Sequence, residues 1–136
     1  MTRNYYYLAV GLLCLLFAVS HTWNGLENVL PIMGGSVLGD GTQTDFSYLW
    51  HMIGAENFIF GIALAIMAFQ RDTEKVRFTA WVIAAVIFAR WIALTFTTVA
   101  IGGNITILLV DTIAMIILIV LLALGTRVEI KKQNLT

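Results

Sequence analysis

Residues 105–125 read ITILLVDTIAMIILIVLLALG, with a single charged residue, Asp111. A helix needs about 20 residues to cross the roughly 30 Å of hydrocarbon in a bilayer, and this stretch has that length. Inside hydrocarbon every backbone N–H must find a partner within its own segment. The stretch is too long for a barrel strand, so it predicts a membrane helix. Three further stretches have the same character, at about 5–23, 49–69 and 78–100. Together they predict an all-α protein, an integral membrane four-helix bundle forming a single domain over 1–136. The composition agrees: 60% of residues are hydrophobic and 12% charged, against about 45–50% and 25% in soluble domains. Eight basic residues cancel eight acidic ones. That balance removes nucleic acid as a partner, because displacing counterions from phosphates takes surplus Lys and Arg. Cys14 is the only cysteine; it excludes an intrachain disulfide or a cysteine metal cluster and reads as packing.

Orientation follows from the bases. Arg3 precedes the first stretch, Arg71, Lys75 and Arg77 lie between the second and third, and Arg127, Lys131 and Lys132 follow the fourth. The positive-inside rule then puts both termini on the cytoplasmic side of a plasma (inner) membrane, N-in/C-in and multi-pass. Arg3, an apolar core and Ala18-Val19-Ser20 imitate a cleavable signal peptide. The aromatic cluster Tyr5-Tyr6-Tyr7 reads instead as an interface anchor on a retained helix. The segment 24–48 holds Pro31, Gly34, Gly35, Gly39 and Gly41 and is expected to be an outer loop. Before it, Ser20, His21, Asn24, Glu27 and Asn28 recur three to four apart, so the first helix is expected to run past the membrane surface and stop near Pro31.

The informative residues are those that do not belong in lipid: Glu56 and Asn57 in the second stretch, Arg90 in the third, Asp111 in the fourth. A mid-membrane Asp, Lys or Arg opposes insertion by about 2.5–3.5 kcal/mol, so these groups are expected to face one another or water. At about 1.5 Å per residue, Arg90 lies ~15 Å from the outer end of its stretch, Glu56 ~10 Å deep and Asp111 ~9 Å deep. Arg90 can reach outward along its flexible stem. The expectation is a polar pocket in the outer half, lined by Glu56, Asn57, Arg90 and Asp111, with His21, Asn24, Glu27 and His51 at its mouth. Glu56, Asp111 and His51 are the candidate acid/base groups. Arg90, Asn57, His21, Asn24, Glu27, Trp23 and Thr97 are the candidate binding groups. Trp23, Tyr48 and Trp50 otherwise read as an aromatic belt, and Thr97 as a hydroxyl bonding back to its own helix. Gly54 and Gly61, seven apart, are expected to permit close helix contact.

The bland alternative is a buried charge cluster that holds helices together without chemistry. No metal site is predicted, since the histidines and carboxylates lack H-E-x-x-H or similar spacing. The first functional expectation is an outward-opening pocket for a small lipophilic ligand. The second is a non-enzymatic subunit, using the cluster to assemble with itself or a partner membrane protein. A proton-coupled transporter ranks third, because the inner half reads as closed apolar packing.

The order of these residues resembles the DoxX-like superfamily of small four-helix membrane proteins. The resemblance rests on a first helix running into Pro31, on Ile53-Gly54-Ala55-Glu56-Asn57, on Ala89-Arg90-Trp91 and on Asp111. It implies a four-helix membrane protein and, for some members, quinone-linked oxidation of sulfur compounds, so a quinone is the cofactor it would bring. His21, His51 and the glycine-rich segment fall outside the pattern. Asn24-Gly25-Leu26-Glu27 also matches the Asn-x-x-Glu pattern of glutathione-binding membrane transferases. In that family the pattern lies beside a basic cytoplasmic loop, whereas here it is outside with no Lys or Arg nearby.

Overall fold

The computed structural model describes residues 4–35, 39–70 and 72–128. Arg3, Arg71, Lys131 and Lys132, which carry part of the orientation reading, lie outside the described residues. The elements are α1 (Tyr5–Asn24), a π-helical turn (Gly25–Val29), α2 (Leu30–Gly34), α3 (Asp40–Met67), α4 (Thr73–Ala100) and α5 (Ile105–Arg127). The described residues are all-helical, without a strand. Four helical runs are long and apolar enough to cross a bilayer: Tyr5–Gly34, Asp40–Met67, Glu74–Ala100 and Ile105–Arg127.

The expected loop at 24–48 is corrected. Helix continues to Gly34 and resumes at Asp40. Pro31 is tolerated because the chain widens just before it: the Leu30 N–H bonds to Gly25 O, five residues back, and the proline opens the short α2, where a missing N–H costs nothing. Gly41 is only the second residue of α3. There the helix carries Gln43, Thr44, Asp45 and Ser47, polar residues that an apolar-stretch reading passes over. The same reason places the start of α4 at Thr73 rather than 78. Asp72 caps it, its side chain accepting from the Lys75 N–H at 3.3 Å.

The chain packs as two compact units: residues up to Val10 with those from Ile66 on (the terminal unit), and Gly11–Ala65 (the central unit). In the central unit α1 and α3 meet through small residues. A methyl placed at Gly11 would lie 2.9 Å from Gly61 O, and one at Gly61 2.9 Å from Gly11 O and 2.6 Å from Leu15 Cγ. Farther along, one at Gly54 would lie 2.7 Å from Thr22 Oγ1. Backbone contact of this kind is how apolar helices associate when burial from water supplies no drive.

In the terminal unit α4 and α5 form an antiparallel hairpin, with Ala80, Ile83, Ala84 and Ile87 buried on α4 and Leu118 and Leu122 on α5. Gly102 makes the turn, in the left-handed region at φ 64°, with the Gly103 N–H on Thr98 O at 2.8 Å closing the end of α4. Asn104 then caps α5, its Oδ1 accepting from the Thr106 N–H at 2.9 Å. At the opposite end Asn4 ties three segments together. Its N–H donates to Ala68 O at 2.9 Å, its Nδ2 to Gly125 O at 2.8 Å, and its Oδ1 accepts from the Tyr7 N–H at 3.3 Å. The start of α1, the end of α5 and the basic first turns of α4 therefore share one end of this unit.

Candidate functional site

Three groups of polar residues stand out against the apolar helices, two in the central unit and one in the terminal unit. In the central unit His21 of α1 and Trp50 of α3 clasp each other. Their rings stack with centroids 4.3 Å apart and planes 12° from parallel. The Trp50 indole N–H donates to His21 O at 3.2 Å, and His21 Nε2 meets Trp50 O at 3.2 Å. A carbonyl only accepts, so Nε2 carries the proton. Gly25 leaves room for the indole: a methyl there would collide with Nε1 and lie 2.6 Å from Cδ1. Phe46 tilts against the same ring at 5.9 Å. Trp50 is thus turned into the protein rather than out as part of a belt, while Trp23 and Tyr48 are exposed.

About two turns further along α3, Asn57 is buried at 3% exposure and donates through Nδ2 to Ile53 O at 2.9 Å. Glu56 beside it is half-buried. Asn24 accepts from Asn28 Nδ2 at 3.0 Å on an exposed face, and Glu27 is exposed as well. His51 is exposed and lies with Asp40, Gln43, Thr44, Ser47 and Tyr48 along a groove of about 510 Å³. These six positions recur at helical spacing on α3, so the groove follows that helix's polar face.

In the terminal unit the polar centre is on the hairpin. Trp91 Nε1 donates to Thr112 Oγ1 at 3.0 Å, and Thr112 Oγ1 donates on to Leu108 O at 2.7 Å. This bond sets the register of the two antiparallel helices. Arg90 precedes Trp91 and Asp111 precedes Thr112, and the helices run in opposite directions, so Arg90 and Asp111 stand within about 3 Å of the same level. Both are half-buried. No family model, curated protein or solved structure matches the chain. Among the described residues no group of three or more His, Cys, Asp or Glu gathers as a metal site. Thr97 is exposed and bonds back to Ala93 O and Leu94 O of its own helix. The Thr95 hydroxyl, one turn above Trp91, is buried without a hydrogen-bond partner.

Arg90 and Asp111 are brought to one level, and His21 is joined to Trp50. Glu56 and Asn57 belong to the central unit and Arg90 and Asp111 to the terminal one. Sequence reasoning passed over Gly11, Gly25, Gly125 and Asn4. For Gly11 and Gly25 the signal was present, as small residues spaced at three, four and seven along α1 and into the π-helical turn (Gly11, Cys14, Ala18, Gly25). Asn4 carried a local signal only for its cap on the Tyr7 N–H; its ties to Ala68 and Gly125 are remote in sequence.

Proposed function

We propose that the chain is a four-pass integral membrane protein of the plasma (inner) membrane, with both termini cytoplasmic, that receives a small, largely apolar ligand from the outer leaflet. Arg90 and Asp111 are its polar recognition pair, and Asp111 supplies an acid or base. Support for the membrane setting comes from four runs of sufficient length and apolarity. Lys75, Arg77 and Arg127 gather at the end away from the α4–α5 turn, which supports the orientation. The observation that carries the ligand reading is the Trp91–Thr112 bond, which aligns a cation and an anion ten and six residues from the turn in otherwise apolar helices. A ligand with one polar group and an apolar body fits such a pair, because the charges orient it while the helices accept the rest.

The test is native mass spectrometry of small lipophiles that co-purify with the chain, comparing wild type with Asp111→Asn, Glu56→Gln and Arg90→Gln. Loss of bound mass from the Asp111 and Arg90 variants, with unfolding midpoints near wild type, is the expected result. Unchanged bound mass in all three would remove the ligand reading. Loss of a co-purifying protein instead would assign the pair to assembly.

A further inference from the structure

At the basic end of the terminal unit two buried donors lack partners. Tyr7 is 1% exposed, and its ring lies on Gly125, where a methyl would fall 2.5 Å from Cε1. Neither the Tyr7 hydroxyl nor Arg77 Nε has a hydrogen-bond partner, although both atoms are buried. Orphan buried donors are rare and costly, and each asks for an explanation. Tyr7 and Arg77 line one small void together with Asn4, Gln70, Val76 and Gly125, and its volume, about 10 Å³, is that of one water-sized atom.

The donor inventory restricts what enters. An arginine Nε–H can only donate, and a tyrosine hydroxyl donates readily. Asn4 is already committed, its Nδ2 to Gly125 O and its Oδ1 to the Tyr7 N–H. The occupant is therefore an acceptor. Its charge follows from the surroundings: none of the described lining residues is acidic, while Arg77 sits in the second turn of α4, near the positive end of a 28-residue helix. Glu74, the nearest acid in sequence, is exposed and does not line the void, and Asp72 is engaged with Lys75 at 3.2 Å. Arg127 closes α5 at the same end.

We propose that this end of the terminal unit binds an anionic phosphate group, that of a lipid head group, with one phosphate oxygen seated between Tyr7 Oη and Arg77 Nε. The void admits one oxygen and not a whole phosphate, so the group stays at the mouth, as a head group does whose acyl chains remain in the bilayer. Basic residues at the membrane surface attract such lipids. Inorganic phosphate offers the same oxygen, but a lipid confined to the bilayer arrives at far higher effective concentration. This inference rests on the membrane setting proposed above, not on the ligand reading.

The experiment uses the full chain in detergent with equal phosphatidylglycerol and phosphatidylcholine, read by native mass spectrometry. One retained phosphatidylglycerol per chain is expected. Tyr7→Phe removes only the hydroxyl and leaves the ring on Gly125; it should weaken retention about fivefold, and Arg77→Gln about tenfold or more. Arg127→Gln, an exposed charge, should stay within about twofold. Equal retention of both lipids, an unaffected Tyr7→Phe variant, or displacement by millimolar inorganic phosphate would each overturn the assignment. Alkaline carbonate extraction of membranes separates the two levels. Release of the chain refutes the membrane setting, whereas a retained chain indifferent to head group refutes this site alone.

Discussion

Gly11→Ala probes the contact on which the central unit depends. The added methyl would lie 2.9 Å from Gly61 O, 3.0 Å from Ala65 N and 3.3 Å from Leu64 Cβ. Two of the three are backbone atoms, which cannot swing aside as a side-chain tip does. Relief to an ordinary contact takes about 0.5 Å of separation between α1 and α3, and a gap of that size forfeits about a quarter of each dispersion contact around it. Overpacking of this kind costs about 1–3 kcal/mol. Alanine returns up to about 1 kcal/mol through its better helix propensity. With the overpacking cost at the middle of its range, about 2 kcal/mol, the expected net loss is about 1–2 kcal/mol. Gly34→Ala is the internal control, because nothing lies within 4 Å of its new methyl. Unfolding by sodium dodecyl sulfate titrated into mild detergent, followed by circular dichroism, should place the Gly11→Ala midpoint clearly below that of Gly34→Ala, with Gly11→Val lower again. Equal midpoints for the two alanine variants would mean that the backbones of α1 and α3 do not touch at this level.

Three further outcomes are expected. Gly25→Ala should push the Trp50 indole off His21 and shift tryptophan emission, as His21→Ala should; spectra identical to wild type would rule out the clasp. Asn4→Ala removes a helix cap and the buried bond to Gly125 together, and should cost about 1–3 kcal/mol in the same titration; a loss under about 0.5 kcal/mol would contradict the role given to Asn4. The backbone N–H of Lys75, and then its side chain, hold the Asp72 carboxyl below its ordinary value of 3.8. A carboxyl whose folded pKa is depressed contributes stability that is present above the unfolded value and lost as pH falls through the folded one. Wild type should therefore lose stability on acidification through and below that ordinary value. Asp72→Asn should keep the cap yet flatten that dependence, and unfolding midpoints across the acid range check it.

The four long helical runs were legible because length and apolarity alone identify a segment that can satisfy its own backbone in lipid. The extensions at 40–48 and 73–77 were not, since polar helical turns carry no apolar signal and depend on caps such as Asp72. Local glycine density misled at 24–48, where a wide turn ahead of Pro31 accommodates the proline. The three adjacent tyrosines show a different limit. Tyr5 and Tyr6 are exposed at 68% and 39%, as an interface anchor would be, while Tyr7 is buried on a glycine of α5. No local pattern separates it from its neighbours. Counting residues from the turn put Arg90 ~15 Å and Asp111 ~9 Å deep; that they stand closer in level follows from the Trp91–Thr112 bond, which no count of residues contains. The His21–Trp50 clasp was hidden for the opposite reason. Each ring's fate was decided by a helix remote in sequence, and both residue types also suit a membrane interface.

The bond from Asn4 to Gly125 spans 121 positions, which makes it a matter of timing as well as geometry. At roughly 5–20 residues per second of synthesis, Asn4 waits about 6–24 seconds before its acceptor is made. Through that interval α1 and α3 can already be joined through Gly11 and Gly61 and the Asn4 N–H can already meet Ala68 O, whereas the Asn4 side-chain amide and the ring of Tyr7 still lack Gly125. The Asn4–Gly125 tie is therefore among the last to form during synthesis. A chain stalled before α5 would leave the Asn4 side-chain amide without its acceptor and the face of Tyr7 that lies on Gly125 uncovered.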